Sequence, residues 1–416
     1  MTLDQLLTET GPHRLTIAAT LKPTGGQDRF QPAGFPEIGH VIYDAPRSDD
    51  GVEKVCIVDS SASMANHLEK VCWDDTAFDL VLELAGLPYV RVVTDLDPAG
   101  NADRWQKHGE DWQLKTDGTR PVFATLTEGH RLASDYFLDG QWRKVTEQVE
   151  KKGKKESGDR VESGKEVLKR EFGTVSLGKE KTFTPPTARN DVLKTICKYD
   201  PNSLVHGVFF SAFKDIKIPR VLTAHLEAFG AARVDYSGVK FDPVGKTVSG
   251  QPIFQADDST AHTIRATFII DLQQIRSFGR TVQKNGKSET FGLSGAQKKL
   301  ILGLSLWKIL KLLEGPWRYR SRCDLALDCL SVEPHSIGDL TALKALLEQE
   351  HHGDGENRKT GIQALIAACG FTGPSVRTVY YPAGDLYKEA ERKAAPGGAD
   401  TGSSDATQGN QSDDES

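Results

Sequence analysis

Alternation of apolar and polar residues marks several short strands along the chain. Residues 14–21 (RLTIAATL) carry an apolar side chain at every second position, which is typical of a strand with one buried face. Residues 55–59 (VCIVD) and 89–94 (YVRVVT) are short and mostly apolar, which predicts buried strands. The same pattern predicts later strands at residues 263–272, 325–332 and 376–381.

Helices are predicted where apolar residues recur with a period near 3.6. Residues 60–70 are predicted to form a helix capped by Ser60, with Glu69 pointing outward. Residues 294–314 predict a long helix, and residues 337–349 a shorter one. The apolar stretch 300–313 is interrupted by Lys308 and Lys311, so it falls short of the roughly 18 apolar residues of a membrane span. We interpret it as a core helix.

The middle of the chain continues this alternation of strands and helices. Residues 203–210 (SLVHGVFF) are mostly apolar and predict a buried strand. A basic turn follows, and residues 219–229 are expected to form a helix. The whole pattern places the protein in the α+β class.

The 416-residue length allows either one elaborated α+β domain or two fused domains. We predict a single domain over residues 1–393. A charged insertion, at about residues 141–190, has few large apolar residues and cannot form a core of its own. Residues 394–416 are rich in Gly, Ser and Asp, which predicts a disordered acidic tail.

The first residues, MTLDQ, lack the basic start of a signal peptide, which favours a cytoplasmic protein. Six cysteines lie far apart without a C-x-x-C pair, so we expect reduced thiols and no zinc site. The common nucleotide-binding, acyl-transfer and metal-hydrolysis motifs are absent from the sequence. We therefore expect no cofactor, no catalytic residues and no enzymatic activity.

Charge is unevenly distributed along the chain. The formal net charge is −6, but residues 44–118 contain sixteen acids and seven bases, and residues 275–322 contain eleven bases and two acids. One segment is therefore −9 and the other +9. Such segregation is typical of a groove that binds a polyanion, although solvated helix faces would produce the same counts.

The segment 59–63 (DSSAS) fits D-x-S-x-S at the end of a strand and the start of a helix. One interpretation is a metal-dependent adhesion site like that of von Willebrand factor A domains, with Thr125 as a further ligand. The other is a helix N-terminus that binds phosphate through its N–H groups and hydroxyls. We favour the second interpretation, in which Ser61, Ser63, Asn66 and His67 face the phosphate ligand.

Three basic clusters are further candidates for phosphate contacts. In the cluster of Arg318, Arg320 and Arg322, an extended backbone would place the arginines on one face and Trp317 and Tyr319 on the other. Ordinary surface lysines are the alternative interpretation, with most weight for the first cluster. The clusters are Lys214, Lys217 and Arg220; Arg276, Arg280, Lys284 and Lys287; and Arg318, Arg320 and Arg322.

Several segments of the chain, taken in order, resemble the sequence blocks of a known protein family. Residues 58–69 (VDSSASMANHLE) and 128–134 (EGHRLAS) are similar to its D-S-x-x-S-x-A-N-x-L-E and H-R-[IL]-A segments. Residues 204–209 (LVHGVF), 217–220 (KIPR) and 318–325 (RYRSRCDL) are similar to its later blocks. The family that these segments resemble is a CRISPR-associated RAMP family, which comprises the backbone subunits of type I-G (formerly I-U) Cascade complexes. The resemblance runs from about residue 15 to residue 381.

The resemblance implies an RRM-like or ferredoxin-like palm, an antiparallel sheet with helices, that carries large finger and thumb insertions. It also implies a subunit that polymerises along a crRNA and presents guide bases for pairing with target DNA in antiviral defence. Arg131 joins the expected RNA-binding residues. The expected partners are crRNA, target DNA through the guide, further copies of the chain and other Cascade subunits. The alternatives are the adhesion module and a RAMP endoribonuclease.

Overall fold

The computed structural model of the protein describes residues 1–35, 39–48, 51–98, 103–151, 154–173, 175–176, 182–183, 188–213, 216–234, 258–284 and 286–394. The predicted acidic tail lies, apart from its first residue, outside these described residues.

The strands are numbered along the chain. They are β1 (Arg14–Pro23), β2 (Arg29–Phe30), β3 (Gly34–Phe35), β4 (Gly39–His40), β5 (Ile42–Pro46), β6 (Val52–Asp59), β7 (Trp73–Asp74), β8 (Asp79–Leu80), β9 (Tyr89–Asp95), β10 (Trp105–His108), β11 (Asp111–Leu114), β12 (Thr119–Ala124), β13 (Gln141–Lys151), β14 (Lys154–Ser163), β15 (Val175–Ser176), β16 (Thr182–Phe183), β17 (Val208–Phe210), β18 (Ile216–Ile218), β19 (Leu222–Phe229), β20 (Ala232–Val234), β21 (Asp258–Thr260), β22 (Thr263–Asp271), β23 (Gly279–Lys284), β24 (Lys287–Gly292), β25 (Trp317–Arg320), β26 (Cys323–Glu333), β27 (His351–His352), β28 (Lys359–Thr360) and β29 (Val376–Tyr380).

The α-helices of the described residues are α1 (Leu3–Leu6), α2 (Ser61–Lys70), α3 (Asp135–Leu138), α4 (Gly164–Glu171), α5 (Ala188–Tyr199), α6 (Pro201–His206), α7 (Leu272–Ser277), α8 (Gly295–Leu312), α9 (Leu340–Glu348), α10 (Gly361–Ala368) and α11 (Ala383–Ala394).

The main sheet has seven antiparallel strands in the order β25-β26-β1-β22-β19-β6-β5. Its central strands alternate buried and partly exposed residues, so one face of the sheet is apolar. Leu15 pairs with Ile270 and Ile17 with Phe268, which aligns large apolar side chains across neighbouring strands. This register fixes which face is covered by helices.

The main sheet is curled, so that edge strand β25 approaches β6 near the other edge. Arg320 of β25 donates hydrogen bonds to the main-chain carbonyl of Val58, at 2.6 Å, and to the carboxylate of Asp59. The chain after β2 bridges the same gap, because Gln31 N–H bonds to Arg322 O and Ala33 N–H to Val58 O, both at 2.9 Å. The curl therefore brings the end of β6 and the start of α2 next to β25.

Helix α8 is the central helix of the core. It begins at a capping box between Ser294 and Gln297, and its residues from Leu300 to Leu310 are buried. It packs against β22 and against α2, α6, α9 and α10. The fold is thus α+β, consistent with a ferredoxin-like palm that carries insertions, and the predicted fold class is confirmed.

A second sheet of five strands, in the order β12-β9-β29-β13-β14, stands beside the main sheet. Strands β9 and β29 are parallel, and β13 and β14 form a long antiparallel hairpin. This hairpin begins at Gln141, where the charged insertion was predicted, and α4 follows it with a capping box at Ser163.

Two predictions for the middle of the chain are wrong. Residues 203–210 are not one strand, because α6 occupies the first part and β17 begins only at Val208. Pro201 starts α6, and Gly207, at φ 79°, ends it in a conformation that favours glycine. Residues 222–229 form strand β19 and not a helix, since alternate side chains face the core.

None of the helices in the described ranges combines the length and the apolar character that crossing a membrane requires.

Candidate nucleic-acid interface

Asp59 is the centre of a hydrogen-bonded group at the start of α2, which we call the Asp59 cluster: Asp59, Ser63, His67, Trp317 and Arg320. Asp59 ends β6, and the Ser60 side chain caps α2 by accepting a hydrogen bond from Ser63 N–H at 3.2 Å. The spacing of 59, 63 and 67 places three polar groups along one side of the helix. The predicted helix and its serine cap are thereby confirmed.

Both carboxylate oxygens of Asp59 accept hydrogen bonds. Ser60 N–H and Arg320 Nη2 donate to Oδ1 at 2.9 and 2.8 Å. Ser63 Oγ and His67 Nε2 donate to Oδ2 at 3.0 and 3.1 Å. Asp59 is 3% exposed, so these four donors replace the water that a surface carboxylate would bind.

The tautomer of His67 follows from its neighbours. Trp317 Nε1–H, which can only donate, lies 3.2 Å from His67 Nδ1. Nδ1 is therefore an acceptor, and the proton sits on Nε2, which donates to Asp59. Tyr319 packs edge-on against the same imidazole at 5.1 Å between ring centroids.

Burial alone would raise the pKa of the Asp59 carboxyl, but the hydrogen bond from His67 and the charge of Arg320 outweigh it. The pKa of Asp59 therefore lies below its ordinary value. The carboxylate is ionised at neutral pH and is balanced by Arg320. A cluster of this kind positions α2 against β25, and Ser63 and His67 are both committed to Asp59.

The adhesion-site interpretation of this segment is not favoured by the geometry. A metal ion would have to replace the Arg320 guanidinium, which already balances Asp59. Thr125, the proposed further ligand, is fully buried in the second sheet, and its Oγ1 lies 3.4 Å from Val90 N–H.

Arg131, predicted to contact RNA, is buried. Its guanidinium forms a two-pronged ion pair with Glu69 of α2, at 2.7 and 2.8 Å. It also donates to the carbonyl of Gly207 at 3.4 Å. This placement argues against an RNA contact for Arg131 and corrects the expectation that Glu69 points outward, because a buried carboxylate requires a cation.

A larger buried group surrounds this ion pair, and we call it the inner polar cluster: Glu69, Arg131, Asn202, His206 and Lys308. Asn202 Nδ2 donates to Glu69 at 2.6 Å, and Lys308 donates to Asn202 Oδ1. Lys308 also lies 2.9 Å from His206 Nε2. Since an ammonium group can only donate, this nitrogen accepts, which links α2, α6 and α8.

Burial controls the titration of the groups in and beside the inner polar cluster. Burial lowers the pKa of Lys308, which is 0% exposed. Burial and the charge of Lys308 hold the pKa of His206 well below its ordinary value. The neighbouring Asp200 accepts a hydrogen bond from Ser203 at 2.6 Å, yet burial raises its pKa to about 6.

Five of the eleven cations of the +9 segment form ion pairs with carboxylates of the chain, and three more donate hydrogen bonds to uncharged groups. Arg276 donates to the carbonyls of Leu6 and Pro12, so it braces the N-terminal residues. The five cations that pair with carboxylates are Lys299 with Asp4 and Glu350, Lys311 with Glu83 and Glu314, Arg318 with Asp324, Arg320 with Asp59, and Arg322 with Asp258. The sequence count therefore overstates the positive charge of the surface.

The alternating arrangement predicted for residues 317–322 is partly wrong. Arg318 is exposed and Tyr319 buried, as alternation requires. A register shift between Arg318 and Arg320 then interrupts the pattern, and Arg320 turns toward Asp59. Arg322 lies after the strand, at φ 61°, in the turn to β26.

Strands β23 and β24 form an exposed two-stranded ribbon, which we call the basic hairpin. Arg280 pairs with Phe291 and Lys284 with Lys287, so these four side chains share one face. All four are exposed. Within the described ranges, Arg280, Lys284 and Lys287 form no ion pair with a carboxylate.

The turn that follows β18 contacts α7, the helix that precedes the basic hairpin. Lys217 and Arg220 are exposed. Gln274 of α7 donates to the carbonyl of Pro219 at 2.6 Å, and β23 begins shortly after α7 ends. The turn and the basic hairpin, both connected to α7, are the two candidate sites for phosphate contacts.

A family model decides the broader identity of the chain. The model of CRISPR-associated protein GSU0053 matches residues 15–233, just over half of the 416 residues. The chain belongs to this CRISPR-associated family. The CRISPR association predicted by the resemblance is thus confirmed at the level of the family. No curated protein matches the chain.

The residues of the protein that the family model matches include Asp59, Arg131 and the Lys217–Arg220 turn. Arg320 and the basic hairpin lie outside it. On α2, Ser61 is half-buried and Asn66 is exposed at the surface. Lys214, the remaining predicted site residue, lies outside the described residues.

One exposed aromatic residue of the family member escaped prediction from the sequence. Phe209 of β17 is 48% exposed and pairs with Lys217 across the β17–β18 hairpin. The prediction of a fully buried strand hid it. The signal that would have revealed it is the period of two in a strand, by which Phe209 and Phe210 must face opposite sides.

Proposed function

We propose that the chain is the non-catalytic backbone subunit of a type I-G Cascade complex, which polymerises along crRNA and presents guide bases to target DNA. Membership of a CRISPR-associated family supports this setting. The observation that carries the RNA-binding part is the exposed, unpaired state, among the described residues, of Lys217, Arg280, Lys284 and Lys287.

These cations suit the task that the proposal gives them. A protein that holds a guide by its backbone needs positive side chains in water-accessible positions, because phosphates are recognised through charge and not through base identity. A cation that is already paired with a carboxylate gains less binding free energy from a phosphate. The exposed turn and the basic hairpin therefore carry the proposal, and the Asp59 cluster shapes the region.

The non-catalytic part of the proposal is supported by two histidines near the predicted segments, each of which is held by other side chains of the protein. His67 is held by Asp59 and Trp317, and His206 is buried against Lys308. His130 is exposed and lies 3.4 Å from Glu128. Cleavage of a CRISPR repeat transcript by the purified chain, lost in His130→Ala, would contradict a non-catalytic role.

The first experiment asks whether the chain binds RNA through phosphate contacts. The affinity for a fluorescent single-stranded RNA is measured between about 50 and 200 mM salt. We expect log K to fall by about 0.7 per neutralised phosphate for each tenfold increase in salt. An affinity that is independent of salt would refute the proposal.

Two matched triple variants identify which cations matter. Arg280→Gln, Lys284→Gln and Lys287→Gln together are expected to reduce the salt slope by about 2, as three lost phosphate contacts require. The control neutralises Lys22, Lys54 and Lys70, which are exposed but paired with Asp328, Asp44 and Asp75. If both triples change the slope equally, net charge alone governs binding and the interface is wrongly placed.

A further inference from the structure

The β17–β18 hairpin presents an aromatic ring to solvent from a well-packed base. Phe209 is 48% exposed, whereas its neighbour Phe210 is completely buried. Phe210 and Phe213 pack edge-on against each other and against Phe172, with centroids 5.3–5.7 Å apart. The hairpin is therefore anchored from below, and the outward direction of Phe209 is fixed by the strand.

The pairing of the hairpin reinforces this direction. Val208 pairs with Ile218 and Phe210 with Ile216, and all four side chains are buried. The remaining pair, Phe209 and Lys217, faces the opposite side. A rigid, exposed ring loses little conformational freedom when it binds a flat partner, which favours stacking.

One cation lies opposite the ring, and a second lies close to the start of its strand. Lys217 is directly opposite Phe209 in the strand register. Arg220 passes close to the start of β17, because a Cβ on Gly207 would lie only 3.1 Å from Arg220 Cγ. Gly207 permits this approach, and its φ of 79° also favours glycine.

We propose that Phe209 stacks on a base of bound single-stranded RNA, while Lys217 and Arg220 hold neighbouring phosphates. We call these three residues the stacking platform. The inference rests on the proposed function and assigns it a base contact. An exposed aromatic ring with cations nearby matches a nucleotide chain, which alternates flat bases with phosphates, whereas an apolar protein surface would leave both cations desolvated.

The test measures binding of a labelled 12-nucleotide oligouridine by Phe209→Ala and Phe209→Trp. Loss of one stacked base is expected to weaken binding of Phe209→Ala by about 5- to 150-fold. Phe209→Trp is expected to retain wild-type affinity. The matched control is Leu82→Ala, which removes an apolar side chain that is 85% exposed beside Glu83 and should leave binding unchanged.

Three further measurements characterise the contact, and the first two separate stacking from charge. Phe209→Ala is expected to keep the wild-type salt slope, whereas Lys217→Gln should reduce it by about 0.7. An oligonucleotide of abasic residues should bind the wild type and Phe209→Ala equally. DNA of the same length shows whether the platform requires the 2′-hydroxyl, and a similar loss on DNA also supports base stacking.

Several outcomes would overturn the inference. Equal affinity of wild type and Phe209→Ala for oligouridine would do so while leaving the proposed function intact. An equal loss on abasic RNA, or a lowered melting temperature, would show that Phe209 acts through the fold. Reduced self-association in light scattering without a change in RNA affinity would assign the ring to contacts between copies. A wild-type chain that binds no RNA would instead refute the proposed function itself, and this inference with it.

Discussion

The polar groups around α2 and those of the basic hairpin come from segments that look equally suited to bind phosphate. Around α2, Asp59 and Glu69 are each matched by an arginine that lies far away in the sequence. On the basic hairpin, Arg280, Lys284 and Lys287 face solvent and, among the described residues, have no carboxylate partner. The difference shows that a cation is available to a ligand only where the fold leaves it without an internal anion.

The largest effect is expected from breaking the Glu69–Arg131 pair. Arg131→Ala leaves the buried Glu69 carboxylate without its ion-pair partner, so we expect the free energy of unfolding to fall by about 3–5 kcal/mol. Urea denaturation followed by circular dichroism measures this. The control is the combined Glu69→Leu and Arg131→Met variant, which should lose much less, because it leaves neither member of the ion pair buried without the other. An equal loss in both would mean that packing, and not charge, dominates there.

A smaller loss is expected in the Asp59 cluster. Arg320→Ala removes hydrogen bonds to the Asp59 carboxylate and to Val58 O, and should lower the free energy of unfolding by about 1.5–3 kcal/mol. Arg318→Ala is the matched control, since its ion pair with Asp324 is exposed and should contribute about 1 kcal/mol or less. Equal losses would show that Arg320 is not a structural residue.

The same variant has a defined pH dependence. The pKa of Asp59 is lower in the folded state than its ordinary value, so its stabilising contribution is complete above the unfolded-state pKa of about 3.9. It is lost as the pH falls through the lower folded-state value. The stability difference between wild type and Arg320→Ala should therefore shrink in acid, and a constant difference would contradict the role of charge.

Asp200 should respond to pH in the opposite direction. Burial raises its pKa to about 6, so the folded state binds more protons than the unfolded state between about pH 4 and pH 6. Wild-type stability is reduced as the pH rises through this range, and Asp200→Asn should gain stability relative to wild type. Unfolding at pH 4.5 and pH 7 measures the gain, with Asp44→Asn, at an exposed ion pair, as control. No difference between the two pH values would contradict it.

The smallest effect on stability is expected at the basic hairpin. The triple variant of Arg280, Lys284 and Lys287 to glutamine should leave the free energy of unfolding within about 0.5 kcal/mol of wild type, because these side chains are exposed. Its measured change in RNA affinity would then be due to lost contacts alone. A loss as large as that of Arg320→Ala would erase the contrast between the two regions.

Local patterns predicted much of the fold. The alternation in β1 and β22 and the capped apolar run of α8 specify their elements without reference to the rest of the chain. The prediction failed at β19, because Leu, Ala and Glu favour helices when isolated and the neighbouring strands override that preference. It also failed at α6, where burial on all sides removes the periodic signal.

The candidate site was harder to predict, since whether a cation faces solvent or pairs within the chain depends on residues far away in the sequence. The sequence pointed correctly to the segments, but it could not distinguish Arg320, which reaches Asp59 across 261 positions, from Arg280, which reaches solvent. Glu69 and Lys308 could have been suspected, because each is a charged residue within an otherwise apolar helix face. Their partners, Arg131 and Asn202, follow only from the tertiary structure.

The closure of the curled sheet through Arg320 and Asp59 also has a consequence for the order of events during synthesis. At about 5–20 residues per second, a ribosome adds the intervening 261 residues in roughly 13–50 s. Throughout that interval β6 and α2 lack β25, the strand whose Arg320 pairs with Asp59. Such late, long-range pairing slows folding and prolongs the exposure of unfinished strand edges. The nascent N-terminal half is therefore the stage at which this chain depends most on protection from aggregation.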